Sequence, residues 1–390
     1  MLLTDKQTNR QTDKQTNRQT DKQTNRQTDK QTNRQTRNVY LDIVKFITIF
    51  LVVWGHVVQQ TSNVSCWPVQ EDSVMRLIYT MHMPLFMGLC GYFFYFSIQK
   101  WSSVHTYVIR KLPSRLAGLI IPMISFGLIK IACDVFWSTP IPHTTLPFLR
   151  YWYYSTMGIW FLGDVAVNTV IVLLALYFCK GHFKHDWKYF ALFAPLSIVP
   201  YVSYRNPHMY FFFAAGYCLP AYVKSDFRYF IKYWKWGLVL FVASYIAFSN
   251  MPWPPEDFWY DYHHQSILQL VVNDSLKISL GVTGSYLALI FLYKLLPYMK
   301  ETPLYHLAAK EGQYTLDIYL IQIIVIEKLL GPFYKQLVSQ SDINWINEYG
   351  LIVKVVSTLV LAAILLGIVM GISRLCHKKQ YVSKILFWKS

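Results

Sequence analysis

The sequence predicts an all-α polytopic membrane bundle of about ten transmembrane helices with both termini in the cytoplasm. Three observations carry that expectation. Of 390 residues, 54% are hydrophobic and 17% aromatic, but only 15% are charged, where a soluble domain carries about a quarter charged residues. Beyond Arg37 apolar stretches recur to the end of the chain, most of them near the roughly 20 residues that a bilayer helix needs. The basic residues alternate from loop to loop in the pattern that orients such helices.

Residues 1–37 stand apart. From Thr4 to Gln35 the chain reads TDKQTNRQ four times over, with nine Lys/Arg and four Asp across the whole segment, hence +5 of the chain's formal +16. With no aromatic or branched apolar residue after Leu3, this segment cannot bury a core and is expected to be disordered. It lacks the apolar run of a secretory signal. The octapeptide back-translates to three copies of one eight-base unit, ACAGACAA. Eight is not a multiple of three, so gain or loss of a unit shifts the reading frame. The repeat is therefore read as a slippage-prone expression switch, against the plainer reading of a harmless repeat. The remainder divides into a membrane domain, 38–373, and a basic cytoplasmic tail, 374–390.

Within the domain, spans are expected near 41–60, 75–97, 116–136, 159–178, 189–203, 208–223, 235–250, 277–297, 315–331 and 351–372. Pro122, Pro195 and Pro297 fall at or near their ends, as membrane helices tolerate. A net +16 would also suit a nucleic-acid binder, so the location of the charges decides. With the N-terminus inside, cytoplasmic loops and tail hold nineteen Lys/Arg and the opposite loops five, namely Arg76, Arg150, Arg205, Lys277 and Lys335. No single basic surface exists, and nucleic acid is not expected as a partner; the lipid bilayer is. The six cysteines are scattered without a CxxC pair, so neither a disulfide framework nor a metal site is predicted. His263-His264, in the loop 251–276, is read as solvated rather than as metal-binding.

Ionisable side chains inside a span are costly and are therefore functional candidates. In the first span, YLDIVKFITIFLVVWGHVVQ, Lys45 and His56 are eleven residues apart. Eleven steps of about 100° return to within about 20° of the same face, about 16 Å along the axis. Asp42 lies one turn before Lys45 and can pair with it. Histidine is the side chain best suited to take a proton near neutral pH; a hydrogen bond to a neighbouring helix is the alternative for His56. His82 in the second span lies at a comparable depth, so the two imidazoles can meet in one cavity, although alone it reads as structural. Arg110, Lys111 and Arg115 cluster at the inner entrance of the third span. They serve equally as topological anchors or as anion-binding residues, and Arg115 suits phosphate best because of its guanidinium.

Five stretches in order resemble the integral-membrane acyltransferase type 3 family, nearest to its fucose 4-O-acetylase-like sugar O-acetyltransferases. RNVYLDIVKFITIFLVVWGH is similar to the family's opening helix, whose Arg/Lys-x10-His motif is met by Lys45 and His56. MHMPLFMGLCGYFF resembles the second-helix signature, with Cys90 where Ser is usual. RKLPSRLAGLIIP resembles the basic stretch before the third helix. GIWFL and YFFFAAGY are similar to middle-helix signatures. EGQYTLDIYLIQ resembles the late motif, with Gln322 in place of its usual His. The likeness covers about residues 37–372.

The resemblance implies a multi-pass enzyme of the bacterial cytoplasmic membrane. It would move an acetyl group from cytoplasmic acetyl-CoA, or another acyl-CoA, to a hydroxyl of a glycan such as lipopolysaccharide or capsule. Carried over by residue, His56 is the catalytic histidine, His82 a secondary polar group and Lys45 the basic residue toward the donor, and Asp42 joins the catalytic candidates through its pairing with Lys45. Arg110, Lys111 and Arg115 would meet the coenzyme. Trp160, Trp253 and Trp259 at the outer boundary are read as interfacial anchors before sugar-stacking platforms. The rival classes are a transporter or glycan flippase and a membrane scaffold; no internal repeat beyond the tail favours the first.

Overall fold

The computed structural model describes residues 38–61, 73–142, 144–178, 187–197, 208–222, 231–249, 266–340 and 350–388. The N-terminal repeat, Cys66, His263, His264, Trp253 and Trp259 lie outside them. Among the described residues every regular element is helical. In chain order these are α1 (Val39–Thr61), α2 (Ser73–Tyr79), α3 (His82–Gln99), α4 (Val104–Arg110), α5 (Leu112–Phe136), α6 (Thr145–Met157), α7 (Trp160–Phe178) and α8 (Trp187–Phe193) with a 3-10 turn, Ala194–Ser197. There follow α9 (Met209–Tyr222), α10 (Trp234–Ser249), α11 (Ile267–Met299), α12 (Pro303–Glu311) and α13 (Thr315–Gln322), a π-helical segment, Ile323–Leu330, and then α14 (Gly331–Gln340), α15 (Gly350–Lys378) and α16 (Gln380–Phe387).

Six stretches are long and apolar enough to cross a bilayer by length and composition: Val39–Thr61, Val74–Gln99, Leu112–Phe136, Trp160–Phe178, Val271–Met299 and Leu351–Lys378. Each coincides with an expected span. Met209–Pro220 and Trp234–Ser249 are shorter apolar helices on two more. The expected span 315–331 falls on α13 and the π-helical segment. The fifth, 189–203, is described only as far as Ser197.

The apolar windows of α1, α3 with the preceding α2, and α7 are 61–67% buried inside the protein, whereas those of α5, α11 and α15 are 33% buried. The first group is therefore central and the second peripheral. Ile364 and Ile368 on α15, Val239 on α10 and Phe291 on α11 are large and exposed. Such a belt is costly in water and natural in lipid. The core between the central helices is aromatic and aliphatic, from Phe46 and Ile49 of α1 through Met87 and Phe94 of α3 to Phe213 and Tyr217 of α9. Small residues set the closest approach: a Cβ on Gly91 would overlap the Phe213 carbonyl, and one on Gly216 the Gly88 carbonyl. That is the small-residue packing of helices that lack a hydrophobic driving force between them.

Two irregularities place the site. First, α6 returns along α5, setting Thr156 against Gly127 and Gly158 against Lys130, and the chain breaks at Gly158 before α7 brings Gly163 beside Met123. Second, α13 passes into the π-helical turn, closed by the Gly331 N–H donating to the Ile326 carbonyl. π-Turns recur at functional sites.

Candidate active site

His56, near the end of α1, sets its Nδ1 3.3 Å from Oε1 of Glu327, which stands on the π-helical turn. The other oxygen of Glu327 lies 3.6 Å from Nζ of Lys130 on α5. Three separate elements thus bring an imidazole, a carboxylate and an ammonium together inside the apolar bundle. Nδ1 has no aligned hydrogen bond, so its contact with Glu327 is an ion-pair approach. Such contacts often tighten only when substrate binds. With Glu327 on the Nδ1 side, Nε2 remains to take and return a proton.

Lys130 is buried, and its support is local. A Cβ on Gly158 would stand 2.7 Å from Nζ, with the Ser155 and Tyr154 carbonyls close by. These are last-turn carbonyls of α6, whose partial negative charge favours a cation. A side chain at position 158 would oblige the ammonium to shift from this place. Tyr319 of α13 is buried in the same part of the bundle. Oδ2 of Asp164, and both amide atoms of Gln322 one turn beyond Tyr319, are buried without a hydrogen-bond partner. The neighbouring charged pair, Lys328 with Asp134 at 2.5 Å, is completed by Tyr151, which donates to Asp134 at 2.6 Å. Trp137 Nε1 donates to the Lys328 carbonyl at 2.6 Å. This pair pins the π-helical turn against α5.

Toward the end of the bundle where α1 begins lies a cavity of about 570 Å³. Lys45, Cys90 and Arg115 line it, with Phe86, Phe161 and Leu162 at its apolar side. Lys45 pairs with Asp42 at 2.7 Å and sits 5.0 Å above the Phe93 ring. The Arg115 guanidinium lies 4.6 Å over Phe94, and its Nε is buried without a partner. Phe161 packs edge-on against Phe86 and against Tyr319, with centroids 5.1 and 5.5 Å apart. One ring therefore faces the cavity and also touches the shell around Glu327.

The expected site residues separate on this geometry. His56 has Glu327 of the π-helical turn as its charged partner, which in turn meets Lys130 of α5, and Lys45 and Arg115 line the cavity. Arg110 and Lys111 are exposed at the end of α4 and are not among the cavity's lining residues. Asp42 is about 21 Å along the helix from His56 and its carboxylate engages Lys45, so its action is on that lysine. His82 is buried, with Nδ1 2.7 Å from the Ile78 carbonyl and Tyr79 edge-on at 4.8 Å. Trp160 begins α7, beside the break near Lys130. Glu327, Lys130 and Asp164 were not among the sequence-derived candidates. The signal was present, since each is an ionisable residue inside an expected span. No group of three or more His, Cys, Asp or Glu that could hold a metal ion occurs among the described residues.

This arrangement suits proton transfer inside the bundle, and comparison with known proteins assigns the class. A family model described as an acyltransferase domain, of acyltransferase type 3, matches residues 38–373. The chain belongs to that family and is a membrane acyltransferase. Among its relatives is the nodulation protein NolL of Sinorhizobium fredii, 26% identical over 303 residues, covering 73% of this chain and 77% of the relative. NolL of Mesorhizobium japonicum is 23% identical over 371 residues, covering 90% of each. No solved structure matches significantly.

Proposed function

We propose that this protein transfers an acetyl group from acetyl-CoA to a hydroxyl of a cell-envelope glycan, such as lipopolysaccharide or capsule, in the bacterial cytoplasmic membrane. The observation that carries the reading is His56 held against Glu327, itself paired with Lys130, inside the bundle, on the same helix as Lys45 in the cavity. With both termini cytoplasmic, the cavity opens to the cytoplasm, where a polyanionic donor meets Arg115 and Lys45. Its pantetheine arm follows the apolar side past Phe161 toward His56. The acceptor reaches His56 from the outer side or from within the bilayer.

Acyl transfer to a hydroxyl needs a base and a donor for the oxyanion. His56 Nε2 removes the hydroxyl proton as the oxygen bonds to the thioester carbonyl carbon. The resulting imidazolium is stabilised by Glu327, in the way a buried carboxylate serves a catalytic histidine. When the C–S bond breaks, the imidazolium returns the proton to sulfur, giving the ester and the free thiol. Lys130, 3.6 Å from the other oxygen of Glu327, holds that carboxylate in place through the cycle. The buried, unpartnered amide of Gln322 is the group we assign to the developing oxyanion, and His82 shapes the wall beside His56.

Purified wild type and His56→Ala, given labelled acetyl-CoA and candidate glycans, test the reading. The expected loss is roughly 10²- to 10⁴-fold, the range of a general base. Absence of transfer by wild type, or undiminished transfer by the variant, overturns it. We also propose that the octapeptide repeat switches expression. Sequencing the gene from many single colonies should show varying repeat numbers, and an invariant number refutes the switch.

A further inference from the structure

The C-terminal helix α16 lies beyond the matched family domain, yet it is built into the wall of the cavity. Lys384 and Trp388 both line it. Three contacts hold the helix there, two of them through His377 of α15. Ser383 Oγ lies 3.1 Å from His377 Nδ1, and the other ring nitrogen of His377 lies 2.7 Å from Asp317 of α13. Phe387, 2% exposed, stacks on the His377 ring at 5.5 Å. Ser125 of α5 donates to the Ile385 carbonyl at 3.0 Å. Beyond Phe387 the backbone turns left-handed at Trp388, with φ 53°, a conformation that a bulky residue seldom adopts. That turn carries the indole back toward Gly118, where a Cβ would stand 3.9 Å from its ring.

The charge of this cavity is unbalanced. No carboxylate is among its lining residues. Lys45 is offset by Asp42, whereas neither Arg115 nor Lys384 forms an ion pair among the described residues. Two uncompensated cations flanking a 44% exposed indole make a surface for an aromatic ring that carries phosphate, because the cations take the anion and the indole takes the ring face. A purely apolar or neutral ligand would leave both charges without a partner.

We propose that Lys384 and Trp388 form the nucleotide end of the acyl-donor site, Lys384 contacting phosphate and Trp388 stacking on adenine. The C-terminal helix thereby becomes part of the binding site and not merely a topological anchor. The proposal rests on the donor being a coenzyme A thioester, and the test separates the two ideas.

Full-length protein in lipid nanodiscs is titrated with coenzyme A and with adenosine 3′,5′-bisphosphate, which has the nucleotide without the pantetheine arm. Wild type is expected to bind both. Lys384→Ala and Trp388→Ala should each weaken both ligands by roughly tenfold, Trp388→Phe should retain most affinity, and Lys300→Ala, an exposed lysine elsewhere, should match wild type. Lys384→Gln, with thermal melting of every variant, guards against a loss that merely reflects misfolding. If wild type binds coenzyme A while folded Lys384 and Trp388 variants bind within twofold of it, the proposal falls and the donor assignment stands. If wild type binds neither ligand, both fall.

Discussion

At the scale of single residues, the chemistry turns on which ring nitrogen of His56 is occupied. Glu327 approaches Nδ1 at 3.3 Å, so the carboxylate acts through the imidazole as a positioning residue rather than on substrate. Replacing it by glutamine keeps the shape and removes the charge that stabilises the imidazolium. Glu327→Gln should therefore lower kcat by roughly a hundredfold or more, leave KM for the donor near wild type, and change the pH profile of kcat. An unchanged profile with raised KM would instead place Glu327 in donor binding. The Lys45–His56 alignment was legible because both residues share one helix, whose rise and turn are fixed by backbone geometry. Glu327 was legible as an intramembrane charge, but its pairing was not. Helical periodicity relates neighbours within one helix and carries no information about which remote segment faces it.

Among elements, the two breaks in regular helix do the positioning. The π-helical turn, Ile323–Leu330, carries Glu327 to His56 and Lys328 to Asp134. The interruption at Gly158 delivers the end of α6 to Lys130. Gly158→Ala puts a methyl group 2.7 Å from that ammonium, and should cost about 1–3 kcal/mol as an overpacked site while reducing turnover. Gly163→Ala, whose new methyl would stand an ordinary 3.6 Å from Met123, should be tolerated. Thermal melting and transfer rates of the two variants make the comparison; equal behaviour would show that Lys130 does not depend on the glycine. Neither irregularity was visible in the hydropathy pattern, which follows side-chain polarity and carries no record of the backbone hydrogen-bond register. The sequence stretch around Gly158 read as the start of a span and 145–157 as an outer loop, yet the latter forms a helix that packs along α5.

For the whole molecule, the distribution of nineteen basic residues against five predicts that both ends and the cavity mouth face the cytoplasm. Single cysteines in a cysteine-free background test this. A cysteine at Lys300 or Lys379 should be shielded from an impermeant thiol reagent in intact cells, and one at Arg150 should react. The reverse pattern would invert the donor's route. Composition, span positions and charge asymmetry were readable from the chain because partition into a bilayer depends on local hydrophobicity and net loop charge. The family likeness, too, lay in short local motifs. What only the tertiary structure decided is the company these motifs keep. Asp42 serves Lys45, Arg110 and Lys111 lie outside the cavity, and α16 lines it although its sequence reads as a basic tail. Most of all, the partner of His56 comes from the π-helical turn and is itself met by Lys130 of α5, because burial obliges charged groups on separate helices to find one another across the bundle.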